Sequence, residues 1–162
     1  MTLPTHPHPT LTSRVCRSMV LLLCLAFLPD LQAATLSGQI LGAPDGQQLL
    51  LKTASGQRLT IRLAGIRSPA IGSPRPDIGQ RFLHTLLAGK PVTVEFTARS
   101  RGGVIIGTVL YGGADVGLRL LRSGLAEVTD DPAPPVPELL LQYRQAEQSA
   151  RQHGMGYWQS RQ

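Results

Sequence analysis

Five short runs of residues with high β-propensity, broken by glycine-containing turns, constrain the fold of this chain more than any other feature. They cover residues 35–41, 47–53, 58–66, 91–98 and 104–111. In the third run apolar residues alternate with polar ones, which places Arg58 and Arg62 on the face opposite to the core. Five short strands with an intervening helix are typical of a small, partly open OB barrel, and this α+β architecture is the predicted fold class.

Three helices are predicted between and after these strands. The first begins after Asp77 and carries an apolar stripe, and the second begins after Asp115, a residue type that caps helices well. The third follows a proline-rich loop and ends at Gly154. The stripe of the first helix extends from Ile78 to Leu87, with Gly89 as a stop, and the other two predicted helices cover residues 116–123 and about 138–153.

The N-terminus has the pattern of a secretory signal peptide. An apolar run at residues 19–28 follows Arg14 and Arg17 and is followed by Ala33 and Ala34. A bilayer span takes roughly 20 residues, so we expect no stable membrane span after cleavage; an uncleaved anchor is the alternative. The predicted organisation is a signal peptide at 1–34 and one domain at 35–162, in a secreted or periplasmic protein.

Charge and cysteine usage describe the predicted mature domain further. Cys16 and Cys24 both lie in the signal segment, so residues 35–162 contain no thiol. The same residues carry 14 basic and 9 acidic side chains, a formal charge of 14 − 9 = +5. A positive domain favours a polyanion or an anionic membrane surface as its partner. Because the whole chain has only three Phe, three Tyr and one Trp, a surface of many stacked aromatic rings is disfavoured.

An ordered set of phrases resembles the staphylococcal nuclease family. The phrases lie at residues 62–66 with Pro69, and at 79–95, 107–116, 121–126 and 143–158. The resemblance implies a five-stranded OB barrel with three helices. It also implies calcium-dependent cleavage of DNA and RNA, in which carboxylates hold the ion, a glutamate activates water and two arginines stabilise the transition state.

The positions that the resemblance implies for calcium are largely substituted. Asp45 is retained, but Gln47 and Arg67 stand where the family has the carboxylates that bind the ion. Calcium is a hard cation that takes oxygen ligands, several of them charged. We therefore expect no metal and no cofactor here, calcium being required only if the family's reaction is retained.

The catalytic positions are substituted as well. Ala70 stands at the position of the glutamate base and Gly103 at that of the second arginine, so Arg62 alone is retained. Alanine cannot take a proton from water. Because catalytic groups act as a unit, their combined loss is expected to remove nearly all activity.

The remaining cations define a predicted function. An anion-binding patch is predicted from five arginines: Arg58, Arg62, Arg67, Arg99 and Arg101. The leading hypothesis is a non-catalytic binding module for a polyanion such as nucleic acid, or for a protein partner. One alternative is a calcium-dependent nuclease, and a second is a structural accessory protein of the cell envelope. The acidic group Glu127, Asp130 and Asp131 is interpreted as a solvated loop.

Overall fold

The computed structural model describes residues 34–69, 78–100, 102–130 and 137–160, without the side chains of 97–99 and 160. Residues 1–33 of the predicted signal segment, the Ala70 position and Arg101 lie outside the described residues.

The chain forms eight strands, three α-helices and a short 3₁₀ helix within these residues. In chain order they are β1 (Ala34–Gly42), β2 (Gln48–Thr53), β3 (Arg58–Leu63), β4 (Ile66–Arg67), α1 (Ile78–Leu87), β5 (Pro91–Arg99), β6 (Ile105–Tyr111), β7 (Ala114–Asp115), α2 (Val116–Arg122), β8 (Glu127–Val128), α3 (Pro137–Gln152) and the 3₁₀ helix Gly156–Ser160.

Five of the strands close into a mixed barrel. Antiparallel pairs join β3 to β2, β2 to β1, β1 to β5 and β5 to β6. The barrel closes where β3 and β6 run parallel, with Ile61 opposite Ile105 and Leu63 opposite Gly107. The short strand β7 extends β6, and β4 pairs with β8 as a separate two-stranded sheet. The predicted five-stranded OB barrel with three helices is confirmed.

The third predicted strand is shorter than expected. It was predicted to reach Ile66, but β3 ends at Leu63 and a turn at Ala64 and Gly65 separates it from β4. Gly65 has φ of 69°, a left-handed conformation that breaks a strand and that glycine adopts without a steric penalty. The break redirects the following residues to β8, where Ile66 lies opposite Val128.

The core lies inside the barrel and under the helices. Alternate residues of β2 and β3 point inward, and the side chains of Leu49, Leu51 and Ile61 are fully buried. Leu83 and Leu87 of α1 pack into the same cluster. The alternation leaves the opposite face of β2 and β3 on the outside of the barrel, where the charged residues of both strands lie.

The prediction that α2 begins after Asp115 is confirmed, and Asp115 caps the helix. The carboxylate of Asp115 accepts hydrogen bonds from the backbone N–H groups of Gly117 (2.7 Å) and Leu118 (3.2 Å). These bonds satisfy donors that the first helical turn leaves without partners. In the described part of the chain, no helix has both the length and the apolar character needed to cross a membrane.

Candidate nucleic-acid interface

The loop between β1 and β2 is built around Asp45. Its Oδ1 accepts the backbone N–H groups of Gln47 (2.8 Å) and Gln48 (2.7 Å), and its Oδ2 accepts the Gln48 side-chain amide (2.8 Å). A carboxylate that accepts neighbouring backbone N–H groups stabilises a turn. Asp45 therefore holds the entry to β2 in place.

The same loop is fastened to two other parts of the fold. The side chain of Gln47 accepts the backbone N–H of Ser68 through Oε1 (3.0 Å), just after β4. From α1, the amide of Gln80 donates to the carbonyl oxygens of Ala43 (3.1 Å) and Pro44 (3.0 Å). These hydrogen bonds hold the loop in one position beside β3 and β4.

Arg62 lies on the outer face of β3, next to the loop between β1 and β2. Its backbone is paired with Gln48 on one side and with Ile106 on the other. The side chain is half-buried, and its Nε is shielded from solvent without an acceptor among the described residues. Leaving a buried donor unpaired costs about 1–3 kcal/mol.

Arg67 is bound to a carboxylate of its own chain. Its Nε (3.1 Å) and Nη2 (2.9 Å) both donate to Oε2 of Glu127, which lies opposite it in the β4–β8 sheet. The interpretation of Glu127 as part of a solvated loop is wrong, because this side chain is buried in β8. The guanidinium of Arg67 is thus partly neutralised within the fold.

The other arginines of the predicted patch lie at different positions relative to Arg62. Arg58 lies at the opposite end of β3 from Arg62, four residues or about 13 Å along the strand. The backbone of Arg99 on β5 is paired with Ile105 of β6, which is paired in turn with Ile61 of β3, next to Arg62. The side chain of Arg99 is not described. Arg101 lies outside the described residues.

Gly103 occupies a turn that favours glycine. The turn is closed by bonds from the N–H of Ser100 to the oxygen of Val104 (2.8 Å) and from the N–H of Gly103 to the oxygen of Ser100 (3.0 Å). Gly103 has φ of 78°, a conformation that residues with a Cβ rarely adopt. An arginine at this position would be strained.

The described residues at the implied calcium positions do not fit that ion. Calcium takes about six to eight oxygen ligands. The carboxylate of Asp45 and the amide oxygen of Gln47 already accept N–H groups, and Arg67 brings a positive charge. Within the described ranges, no three side chains of His, Cys, Asp or Glu are grouped so that they could hold a metal.

The comparison with protein families agrees with this fold. The model of the family described as staphylococcal nuclease homologue matches residues 60–160, from the middle of β3 to the end of the 3₁₀ helix. The chain therefore belongs to the staphylococcal nuclease homologue family. The loop that contains Asp45 and Gln47 precedes the matched range. No curated protein matches the chain.

Proposed function

We propose that this chain is a non-catalytic member of its family that binds single-stranded nucleic acid as a polyanion. The observation that carries the proposal is the guanidinium of Arg62, half-buried beside a fixed loop with a donor that no described residue satisfies. A phosphate oxygen is a strong acceptor for the N–H groups of a guanidinium that it can approach. Phosphate contacts position a nucleic acid without reading its sequence, so the binding is sequence-tolerant.

The loss of hydrolysis is supported by the residues at the family's base and metal positions. Proton abstraction from water needs a positioned base, and Ala70 provides none. Gln47 has a neutral amide, engaged with Ser68, and Arg67 is a cation paired with Glu127, so neither offers an anionic oxygen to a metal. Removing a base and metal ligands together leaves little of a reaction in which these groups act as a unit.

Other functions make different predictions. A calcium-dependent nuclease would cleave the strand it binds, and a module for a protein partner would bind nucleic acid weakly or not at all. A structural accessory protein of the envelope would show neither property. The formal charge of +5 on residues 35–162 favours the polyanion, because a basic domain concentrates anions near its surface.

Export of the domain is part of the proposal. Residues 1–34 carry the basic, apolar and small-residue order of a signal peptide. Strand β1 begins at Ala34, so cleavage after Ala33 would leave the strand complete. The mature protein would then meet its ligand in the periplasm or outside the cell.

Binding is expected to depend strongly on salt. The domain should bind a fluorescein-labelled oligothymidylate of about 16 nucleotides, the upper site size of one OB fold. Fluorescence anisotropy in EDTA should show an association constant that falls with salt, with a log–log slope of about −0.7 for each phosphate contacted. An absence of binding at about 50 mM salt, where screening is weak, would contradict the proposal.

A further inference from the structure

The outer face of β2 and β3 carries a pair of cations that nothing in the described chain neutralises. Lys52 and Arg58 lie directly opposite each other in the antiparallel ladder, and both side chains are exposed. Neither forms an ion pair or hydrogen bond through its side chain with the described residues. Like charges directly opposite each other destabilise a sheet, so this pair has a cost without a compensating contact.

The pair stands beside a groove on the outside of the barrel. Lys52 lines it together with residues of β1, β5 and the turn after β6, and the groove has a volume of about 740 Å³. This lies within the range of about 300–1,000 Å³ that small-molecule sites occupy. The lining presents more apolar than polar surface, and its polar side chains besides Lys52 are Ser37, Gln39, Thr53 and Thr93.

The polar side chains of this groove are the part of it that can contact a sugar–phosphate backbone. None of the described residues that line it is aromatic, whereas the residues that dominate protein interfaces are enriched in Trp, Tyr and Arg. Hydroxyl groups and a lysine instead match the oxygens of sugars and phosphates. The described lining also has no aromatic ring on which a base could stack, so contacts to the sugar–phosphate backbone must supply the affinity.

The pair and Arg62 share one face of the barrel. Arg58 and Arg62 are four residues apart on β3, so both side chains leave the strand on the same side. Between them Leu50, 38% exposed, lies opposite Thr60 and offers a small apolar surface. A strand bound at Arg62 can therefore continue across Leu50 to the pair, a distance of about 13 Å.

We infer that Lys52, Arg58 and the adjacent groove form a second contact site for the single strand whose first contact is Arg62. The inference rests on the proposed function and names the path of the ligand across β2 and β3. A strand long enough to reach both ends of this face gains two phosphate contacts. It also neutralises the like-charged pair, which compensates for the cost of that pair in the free protein.

The double variant Lys52→Gln and Arg58→Gln tests this site. We expect its affinity for the oligothymidylate of about 16 nucleotides to fall roughly tenfold at low salt, and its salt slope to become shallower by about 1.4, or two contacts on a single strand. The matched control is Arg122→Gln with Arg144→Gln, which removes the same charge from exposed positions of α2 and α3. The control should change affinity much less.

Thermal stability separates a binding role from a structural one. Removing the like charges should leave the melting temperature of the Lys52→Gln and Arg58→Gln variant equal to or above that of the parent. Equal loss of affinity in both double variants, or a clear fall in melting temperature for the Lys52 and Arg58 variant, would overturn the second site while wild-type binding still supports the proposed function. Failure of the wild-type protein to bind would overturn both. Displacement of the strand by an acidic protein but by no polyanion would show a protein site instead.

Discussion

Replacing Arg62 by methionine is expected to weaken the binding of single-stranded nucleic acid about thirtyfold. The substitution keeps the apolar stem of the side chain and removes the guanidinium, including the Nε that no described residue satisfies. A hydrogen bond to a charged group contributes about 1.5–3 kcal/mol, and each 1.4 kcal/mol corresponds to a tenfold change in affinity. Anisotropy titrations with oligothymidylate in EDTA measure this effect.

Two controls separate recognition by Arg62 from a general effect of charge. Arg62→Lys keeps the charge but loses the planar donor set, so it should recover only part of the affinity. Arg144→Met removes one charge from an exposed position of α3 and should cost less than threefold. If the Arg62 and Arg144 variants lost affinity equally, Arg62 would have no special role.

Replacing Asp115 by alanine is expected to destabilise the fold by about 3 kcal/mol. Asp115 caps α2 and also accepts a hydrogen bond from the Tyr143 hydroxyl through Oδ2 (2.7 Å). Loss of an N-cap costs about 1 kcal/mol, and leaving the buried hydroxyl unpaired costs about 1–3 kcal/mol more. Urea denaturation should show the transition midpoint lowered by about 1–2 M. A shift below about 0.3 M would contradict this account of the pair.

The hydrogen-bonded pair of Asp115 and Tyr143 makes the free energy of unfolding depend on pH. Burial raises the pKa of Asp115 above its ordinary value, although hydrogen bonds from Tyr143, Leu118 and Gly117 partly oppose the rise. The folded state therefore binds this proton more tightly than the unfolded state, and the stabilisation is lost as pH rises from the ordinary value through the raised pKa. Burial also raises the pKa of Tyr143, so its hydroxyl stays a donor. The Asp115→Asn variant should lose this dependence of stability on pH. In the Tyr143→Phe variant the fall in stability should continue to higher pH, because a hydrogen bond that lowers the pKa of Asp115 is gone. Equal slopes of stability against pH in the wild type and both variants would refute this account.

The barrel could be predicted from sequence because its strands are local patterns. Alternation in residues 58–63 and the cap at Asp115 both appear in the structure where the sequence places them. The end of β3 was missed because Gly65 lies within an apolar run that continues to Ile66, and the run hides the turn. Pairing between β4 and β8 joins residues about 60 positions apart, for which no local pattern exists.

The sequence indicates which residues belong to the candidate site, but not which groups their side chains contact in the fold. The sequence indicates that Arg62 lies on the outer face, whereas the shielding of its Nε is a property of the folded structure that no local pattern encodes. The burial of Glu127 against Arg67 was missed, although the apolar neighbours Leu125 and Ala126 were a signal for it. The juxtaposition of Lys52 and Arg58 depends on the register between β2 and β3. A shift of one residue would place one of the two cations on the core side.

Incubation of excess mature protein with end-labelled oligothymidylate, with and without millimolar calcium, tests the central claim most directly. A native gel measures retention and a denaturing gel of the same samples measures cleavage. The account predicts that the strand is retained at low salt, because the domain is basic. It also predicts that the strand stays full-length in both conditions, because Ala70, Gln47 and Arg67 replace the base and two calcium carboxylates of the family. Fragments that appear only with calcium and disappear in the Arg62→Met variant would contradict it and assign the chain the nuclease activity of its family.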